Sequence, residues 1–323
     1  MNCPKIRAGI WAAEERGGPA VPVPEEPAGR EEKSYTVFPG INLVYENIHG
    51  SRRRAAPCPP SGLYEIRHCL RGRLESRLGE QFYYLGPGDL SIGRPREGRD
   101  GDCFPLGYYQ GIRVEMDVDK TPRCLSCFLE DVDVEPRRMT RRLCGDDRVF
   151  VARSMAAVEH IFSELYSVRE EFRKAYMKVK VLELMLFLSR LDADSDELEQ
   201  RSCSGSQRRL AWELSRYLAE NLDRNFTTQE LAEQFAVSAA QLRLSIKSVY
   251  GSPLHAYIRR QKMESAAHML RESSLSITDI AGRHGYDNAS KFSSAFRELM
   301  GCTPREYRSH GVEEDIFPFA RTF

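Results

Sequence analysis

The sequence predicts an α+β protein of two domains, in which a small β-barrel with packing helices precedes an all-α domain. Short apolar segments with strand-like alternation, separated by glycine and proline turns, extend from about residue 35 to residue 116. Helical periodicity begins near residue 146. A two-helix pattern then occurs twice between Phe226 and Arg308, with a long helix between the copies. Together these patterns favour a barrel followed by two helix-turn-helix motifs.

Composition divides the chain into five segments, and 323 residues are enough for two hydrophobic cores. The first 33 residues are rich in proline, glycine and glutamate and predict a disordered extension. An acidic and then Ser/Gly-rich stretch predicts an interdomain linker. The predicted segments are the extension (1–33), a barrel with a helix pair (34–191), the linker (192–206), the all-α domain (207–310) and a tail without an assigned role (311–323).

The predicted barrel has six short strands joined by tight turns, and Gly86-Pro-Gly-Asp89 is a clear example of such a turn. The strands are expected at 38–45, 63–70, 73–78, 81–85, 90–92 and 108–116.

Two amphipathic helices follow the predicted strands. They either cover the barrel or form a dimer surface, and we expect the dimer surface. The first apolar stripe contains Val151, Met155, Val158, Ile161, Phe162 and Leu165, and the second contains Phe172, Ala175, Tyr176, Val179, Leu182, Met185, Leu186 and Ser189.

The repeated two-helix pattern has helix start and stop signals in each copy. Thr227 and Glu230 form a capping box, and Ser238 with Gln241 repeats that spacing at the next helix. Each second helix ends at a glycine, where the chain is expected to turn left-handed. Between the copies, a helix from Leu254 to about residue 271 would be about 27 Å long. Two recognition helices joined by such a rod can enter successive major grooves, which lie roughly 34 Å apart.

Helical periodicity leaves one set of side chains on the outer face of the two second helices, and these are the candidate DNA-binding residues. They are Ser238, Ala240, Gln241, Arg243, Leu244 and Lys247 in the first copy, and Asn288, Ala289, Ser290, Lys291, Ser294 and Arg297 in the second.

This region resembles the DNA-binding domain of the AraC/XylS family of bacterial transcription regulators. The matching residues include Leu231-Ala232, Val237-Ser238, Gly251, Pro253, Tyr257-Ile258, Ser276-Ile277, Ile280-Ala281, Gly285-Tyr286, Phe292-Ser293, Phe296-Arg297, Gly301, Thr303-Pro304 and Tyr307-Arg308. The chain departs from the family pattern at four positions. Ala236 replaces a turn glycine, Ile246 replaces a phenylalanine, and Leu244 and Ser294 stand where many relatives carry a base-contacting arginine.

The resemblance implies a sequence-specific, effector-responsive transcription regulator without enzymatic activity, catalytic residues, metal or other cofactor. The Gly86–Asp89 turn resembles turns of the cupin barrel that many such regulators carry at the N-terminus. The expected partners are double-stranded DNA, a small-molecule effector in the barrel, a second copy of the chain in a homodimer, and RNA polymerase. Two alternatives stay open: a barrel enzyme that the C-terminal domain tethers to DNA, and a constitutive regulator whose barrel only dimerises.

Overall charge does not identify the partner, because 47 basic residues balance 47 acidic ones. The segment from Gln207 to His310 carries 15 basic and 11 acidic residues, a net charge of +4. This small excess predicts that affinity for DNA depends on dimer pairing or on directed contacts. The absence of a 20-residue apolar run or a signal-peptide core predicts a cytoplasmic protein without a membrane partner.

Other reactive residues allow weaker hypotheses. Cys124 and Cys127 have the spacing of a redox or metal pair, but no second pair completes a zinc site, so buried thiols are the simpler expectation. His68 has no His-x-His partner and is expected to be a core or pocket residue. An effector pocket would be lined by the aromatic residues Tyr83, Tyr84, Phe104, Tyr108 and Tyr109, which could equally fill the barrel core.

Overall fold

The computed structural model describes residues 29–50, 59–78, 81–95, 102–126, 133–145, 149–191 and 205–310. Within the described residues, every strand lies before residue 153, and the chain after that point is mostly helical. The predicted α+β class is confirmed. Cys127, the linker up to residue 204, the tail and residues 1–28 of the extension lie outside the described residues.

Six strands form an antiparallel sheet in the order β1-β2-β7-β3-β6-β8. Their bounds are β1 Arg30–Phe38, β2 Ile41–His49, β3 Leu63–Gly72, β6 Leu90–Gly93, β7 Tyr108–Asp117 and β8 Phe150–Ala152. Alternation sends Tyr45, Ile66 and Val114 to one face, where they join the main core. The opposite face carries Arg67 and Arg113 among buried carboxylates, in addition to a smaller apolar cluster.

The predicted closed barrel is not observed. β1 and β8 are the two ends of the sheet order, and the described residues show no pairing between them. The hairpin of β4 (Leu74–Leu78) and β5 (Gln81–Leu85) forms a separate two-stranded sheet. Alternation correctly predicts strands, but closure depends on register and tilt, which a single sequence does not reveal.

The start of the sheet differs from the prediction. Residues 30–33, assigned to the disordered extension, belong to β1, which pairs with β2 from Arg30 to Phe38. The segment predicted as one strand from Phe38 to Tyr45 is the turn at Gly40 followed by β2. A charged, exposed edge strand has little apolar alternation, and its backbone bonds to β2 hold it in place.

Three helices of the N-terminal half cover the face of the sheet that carries the main core. They are α1 Pro136–Cys144, α2 Ala156–Ser167 and α3 Arg173–Arg190, and a short 3-10 turn at Glu170–Phe172 precedes α3. The prediction of one helix that includes Val151 and Met155 is wrong, because Val151 lies in β8 and Met155 is the residue before α2. Phe150 and Ala152 of β8 are buried, and this short strand was read as helix.

Seven helices form the C-terminal part and build two small cores. The long helix α7 contributes Leu254 and Tyr257 to the first core, and Met263 and Leu270 to the second. Its 19 residues correspond to about 28 Å. The helices are α4 Gly205–Glu220, α5 Thr228–Gln234, α6 Ala239–Tyr250, α7 Leu254–Glu272, α8 Ile277–Arg283, α9 Ala289–Met300 and α10 Pro304–His310. No helix in the described ranges is long and apolar enough to cross a membrane.

The tight turns after α5 and after α8 differ in backbone strain at one position. Ala236, after α5, has a φ of 51°, while Gly285, after α8, has a φ of 73°. A Cβ at Gly285 would also lie 2.4 Å from the carbonyl oxygen of Asp223. The second turn therefore requires glycine, whereas the first holds an alanine in the left-handed region at a cost of about 1–2 kcal/mol.

Ala236→Gly should stabilise the protein by about 0.5–1 kcal/mol, because relief of left-handed strain exceeds the added entropy of the unfolded glycine. Chemical denaturation monitored by circular dichroism measures the change. The matched control is Ala219→Gly in the last turn of α4, where the alanine is helical and the same substitution should destabilise by up to about 0.5–1 kcal/mol. Equal destabilisation by both substitutions would contradict the strain at Ala236.

Candidate nucleic-acid interface

Each copy of the repeated motif begins with a capped seven-residue helix. Thr227 Oγ1 accepts a hydrogen bond from the amide of Glu230, whose side chain accepts one from the amide of Thr227. Ser276 and Asp279 form the same box at α8, which the sequence analysis did not identify because aspartate replaces the usual glutamate. Both short helices therefore start at fixed positions.

The turns that follow are alike in hydrogen bonding. The amide of Val237 donates to the carbonyl of Ala232 at 3.0 Å, and the amide of Tyr286 donates to the carbonyl of Ala281 at 3.0 Å. These bonds fix the angle at which each 12-residue second helix leaves the turn.

The second helices α6 and α9 are capped at both ends. Ser238 Oγ accepts from the amide of Gln241 at 3.1 Å, and Asn288 Oδ1 accepts from the amides of Ser290 and Lys291. Gly251 and Gly301 end the helices with φ of 74° and 78°, as predicted.

The predicted site residues lie together on the outer side of these helices. Leu244 is 54% exposed, although it is apolar. Arg243 and Lys247 are exposed one turn apart on α6, and Lys291 and Arg297 are exposed on α9. The remaining candidates Ser238, Ala240, Gln241, Asn288, Ser290 and Ser294 are exposed, and Ala289 is half-buried.

Polar contacts connect the rod α7 to the second motif and to the loop before α5. Arg259 of α7 makes a two-bond ion pair with Glu298 of α9, in which Nη1 lies 3.2 Å from Oε1. Lys262 Nζ donates to the carbonyl of Arg224 at 2.8 Å and to Asn225 Oδ1 at 2.7 Å. Burial lowers the pKa of the Lys262 ammonium group, and two close oxygen acceptors keep it hydrogen-bonded.

Behind the exposed face, a buried polar network connects the two halves of the chain. Arg73 Nη1 donates to Tyr257 OH at 2.5 Å, and Tyr257 OH donates to Ser215 Oγ at 2.8 Å. Glu75 Oε1 accepts from Ser215 Oγ at 2.7 Å and from Tyr250 OH at 3.1 Å. Burial raises the pKa of the Glu75 carboxyl, and the charge of Arg73 and these hydrogen bonds oppose the increase.

The sequence analysis missed this network. Arg73 and Glu75 alternate with Leu74 in a predicted strand, and this pattern does not show what covers their face. Arg73 is 4% exposed and Glu75 is fully buried, because α4, α6 and α7 cover that face.

The five candidate pocket aromatics do not line one pocket. Phe104 and Tyr109 are fully buried in the smaller apolar cluster, against which Tyr83 packs. Tyr84 packs on Tyr250 of α6, with ring centroids 4.8 Å apart, and Tyr108 stacks on His268 of α7 at 4.0 Å. Two of the five therefore contribute to the contact between the halves of the chain.

His68 and Cys124 each contact neighbouring side chains of the N-terminal half. His68 stacks on Phe162 with centroids 4.0 Å apart, its Nδ1 lies 3.1 Å from Tyr166 OH, and burial lowers its pKa to about 3. Cys124 Sγ lies 3.5 Å from Ser126 Oγ. Among the described residues, no group of three or more histidine, cysteine or carboxylate side chains is placed to hold a metal ion.

Comparison with known proteins identifies the kind of domain that contains these two motifs. A family model described as a helix-turn-helix domain matches residues 231–310. The HTH-type transcriptional activator RhaS of Escherichia coli O139:H28 is 33% identical over 124 residues, which are 38% of this chain and 42% of RhaS. A Streptomyces lividans protein described as an AraC-like transcription regulator is 36% identical over 87 residues, 27% of this chain and 29% of that protein. The C-terminal part of this chain is an AraC-type helix-turn-helix domain.

Among solved structures, a transcriptional regulator with an AraC-type DNA-binding domain from Chromobacterium violaceum is similar to this chain at 26% identity. The similarity covers 34% of this chain and 95% of that one, with a TM-score of 0.31. The matched regions span less than half the length of each curated relative. The family assignment therefore concerns the AraC-type domain and rests on the family model and the curated relatives.

Ser215→Ala should destabilise the protein by about 1–3 kcal/mol, because it removes a hydrogen-bond donor from the buried Glu75 carboxylate. Denaturant unfolding measures the loss. The control is Ser245→Ala, since Ser245 is equally buried but donates only to the carbonyl of Gln241 in its own helix, at 2.9 Å. The control should cost less than about 1 kcal/mol. An equal loss of unfolding free energy in both variants would show that the hydrogen bond to Glu75 adds no stability of its own.

Proposed function

We propose that this protein is a transcription regulator that binds double-stranded DNA sequence-specifically, with α6 and α9 in successive major grooves. The observation that carries the proposal is the repeated geometry: two capped 12-residue helices, each after the same turn, joined by one 19-residue rod. A rod of about 28 Å allows the two helices to reach grooves roughly 34 Å apart. The AraC-type domain and its relatives, which are named as transcription regulators, support the proposal.

Base recognition is assigned to the exposed side chains of the two second helices. Arg243 has the length and the donors to bind the O6 and N7 of a guanine. Leu244 and Ser294 lack long donors, so we assign them apolar contact with a thymine methyl and a hydroxyl contact, respectively. Lys247, Lys291 and Arg297 supply positive charge for phosphates or bases.

The N-terminal half is proposed to be a cupin-like domain that receives a signal rather than an enzyme. Its inner layer is filled: Arg113 pairs with Glu46 at 2.8 Å and with Glu65 at 3.2 Å, while Phe104 and Tyr109 occupy the adjoining cluster. Among the described residues, these charged and aromatic side chains occupy the space beside the sheet, and this filling supports a signal-receiving domain rather than a catalytic one. A role in the cytoplasm and a contact with RNA polymerase are part of the same proposal, since both follow from action at a promoter.

Dimerisation is assigned to α3. Phe172, Tyr176 and Val179 are 58%, 42% and 62% exposed, and they follow one another at four- and three-residue spacing. Half-exposed Leu182 and Leu186 extend the row along the helix. The buried face of α3 is instead formed by Met177, Val181, Leu184, Met185 and Leu188, so most of the predicted stripe faces outward.

A second copy of the chain is the occupant that best fits this row. The row begins at Phe172, the residue before α3, and continues along the helix to Leu186, a distance of about 21 Å that suits a two-helix seam. An AraC-type domain with a net charge of only +4 also gains DNA affinity if two copies bind together.

Arg243→Ala should weaken binding to the preferred site by about 1–3 kcal/mol and relax the preference at one base position. Selection from a random DNA pool, followed by affinity measurement, tests both effects. Arg141→Ala, which removes an exposed arginine from α1, should leave the selected sequence unchanged.

Two outcomes would contradict this assignment. An unchanged base preference with uniformly weaker binding would make Arg243 a phosphate contact. Failure of the wild-type protein to select any sequence would reject the proposed function itself.

Val179→Glu should weaken the dimer at least tenfold, because it would place an unpaired charge in the apolar seam. Light scattering coupled to size-exclusion chromatography, over a range of protein concentrations, measures the effect. Lys178→Glu changes charge at the adjacent exposed position, outside the row, and should leave the dimer intact. A monomeric wild-type protein, or equal dimers in both variants, would reject α3 as the seam.

A further inference from the structure

A cleft of about 460 Å³ lies between the two halves of the chain. One wall comes from the end of β3 and the start of β7, with Arg71, Gly72, Tyr108 and Gln110. The other wall is one face of α7, completed by the end of α9 and by Tyr307 of α10. The cleft is thus outside the sheet interior, where an effector was expected from the sequence.

The α7 wall has a regular arrangement of charged side chains. Arg260, Glu264, His268 and Arg271 recur at four, four and three residues, so they share one face of the helix. Arg71 adds a third arginine from the opposite wall. Burial, together with the positive charges of its neighbours, lowers the pKa of His268 to about 4. The imidazole is therefore neutral at pH 7, and the arginines supply the positive charge of the cleft.

Some polar atoms of this lining are buried without a hydrogen-bond partner. Within the described part of the chain, this holds for Nε of Arg260, Nε of Arg271 and Oε2 of Glu264. Glu264 Oε2 lies 3.7 Å from Nη2 of Arg73, which is beyond hydrogen-bond distance. A buried guanidinium donor without an acceptor is costly, because arginine cannot lose its charge to relieve the penalty.

The rest of the lining is apolar and aromatic. Tyr108 and His268 form a stacked pair with nearly parallel rings, at an interplanar angle of 10°. Leu299 and Met300 close the end of the cleft near α9, and Leu299 is 41% exposed. The guanidinium of Arg271 lies over the ring of Tyr307, 4.4 Å from its centroid. Such walls accept a flat or aliphatic group beside the arginines.

We propose that this cleft binds a small organic anion, with its carboxylate or phosphate on Arg260 and Arg271 and its apolar part against Tyr108 and Leu299. An anion would offset the excess of the three arginines over Glu264 and Glu272, the two carboxylates that line the same cleft. The volume suits a metabolite-sized molecule.

The ligand would bridge the N-terminal half and the AraC-type domain. Its contacts reach α7 and the last turn of α9, so binding would stabilise one arrangement of the second recognition helix relative to the sheet. A change in DNA affinity on ligand binding rests on the proposed function, whereas the site itself does not.

Isothermal titration of the full-length protein tests the site with three probes: phenyl phosphate, cyclohexanecarboxylate and inorganic phosphate. At least one ring-bearing anion should bind saturably and more tightly than inorganic phosphate. Arg271→Gln should weaken that binding roughly tenfold or more, since it removes a charged hydrogen bond. Arg209→Gln, at an exposed position of α4, is the matched control and should bind as wild type does.

Leu299→Glu is a second cleft variant, included in case the Arg271 variant does not fold. It alters a partly exposed residue at the cleft and adds a negative charge that should repel the anion. It should weaken binding of the same probe by a similar factor. Saturable binding that both cleft variants leave unchanged would overturn the proposal, as would the absence of saturable binding by both ring-bearing anions.

Titration of labelled DNA with and without the bound anion separates the two claims. An anion that binds at the cleft without altering DNA affinity would reject the coupling and retain the site. Wild-type protein that binds the anion but no specific DNA would reject the proposed function and leave the site standing.

Discussion

The contact between the two halves of this chain depends on burying Arg73 and Glu75. Both belong to the hairpin segment at β4, and because the AraC-type domain removes them almost completely from water, it must also supply their polar partners. Their partners come from three different helices: Ser215 of α4, Tyr250 of α6 and Tyr257 of α7. Removal of one partner would leave a charged group buried without its hydrogen bond. The contact therefore forms as a whole, or else the two halves separate and the hairpin is exposed to water.

The same set of contacts determines which face of the AraC-type domain is available. On α6, Ser245, Ile246 and Tyr250 are buried, whereas Arg243 and Lys247 are exposed. The N-terminal half therefore holds the first recognition helix from behind. Arg243 lies seven residues before Tyr250, about 10 Å nearer the start of the helix, and it stays exposed because the contact with Glu75 is confined to the last turn of α6.

Much of the AraC-type domain could be predicted from the sequence because its signals are local. Capping residues and glycine stops act within a few residues, and they correctly located the start of α5, both ends of α6 and the end of α9. The departure at Ala236 was also visible, and the structure explains it as an alanine held at positive φ. Local signals of this kind do not depend on which other part of the chain packs nearby.

The N-terminal half was less predictable because its burial is determined by distant segments. A polar face on β4 has the same sequence pattern whether water or another domain covers it, so its burial could not be predicted. The second apolar stripe could either cover the sheet or form a dimer surface, and Phe172, Tyr176 and Val179 are exposed. β8 was missed because three residues between α1 and α2 are too few to show alternation, and pairing with β6 holds them in place.

These observations restrict how a signal could reach DNA. The docked N-terminal half leaves Arg243 and Leu244 uncovered, so release of the AraC-type domain is not required to expose the first recognition helix. The helix α7 contacts both small cores and also lines the interdomain cleft through its charged face. A change at that face can alter the relative position of α6 and α9 without unfolding either motif, because the two motifs are joined through the rod. Under the proposed function, a regulator built this way would respond through the spacing of two exposed helices, since the described residues of the N-terminal half do not cover Arg243 and Leu244.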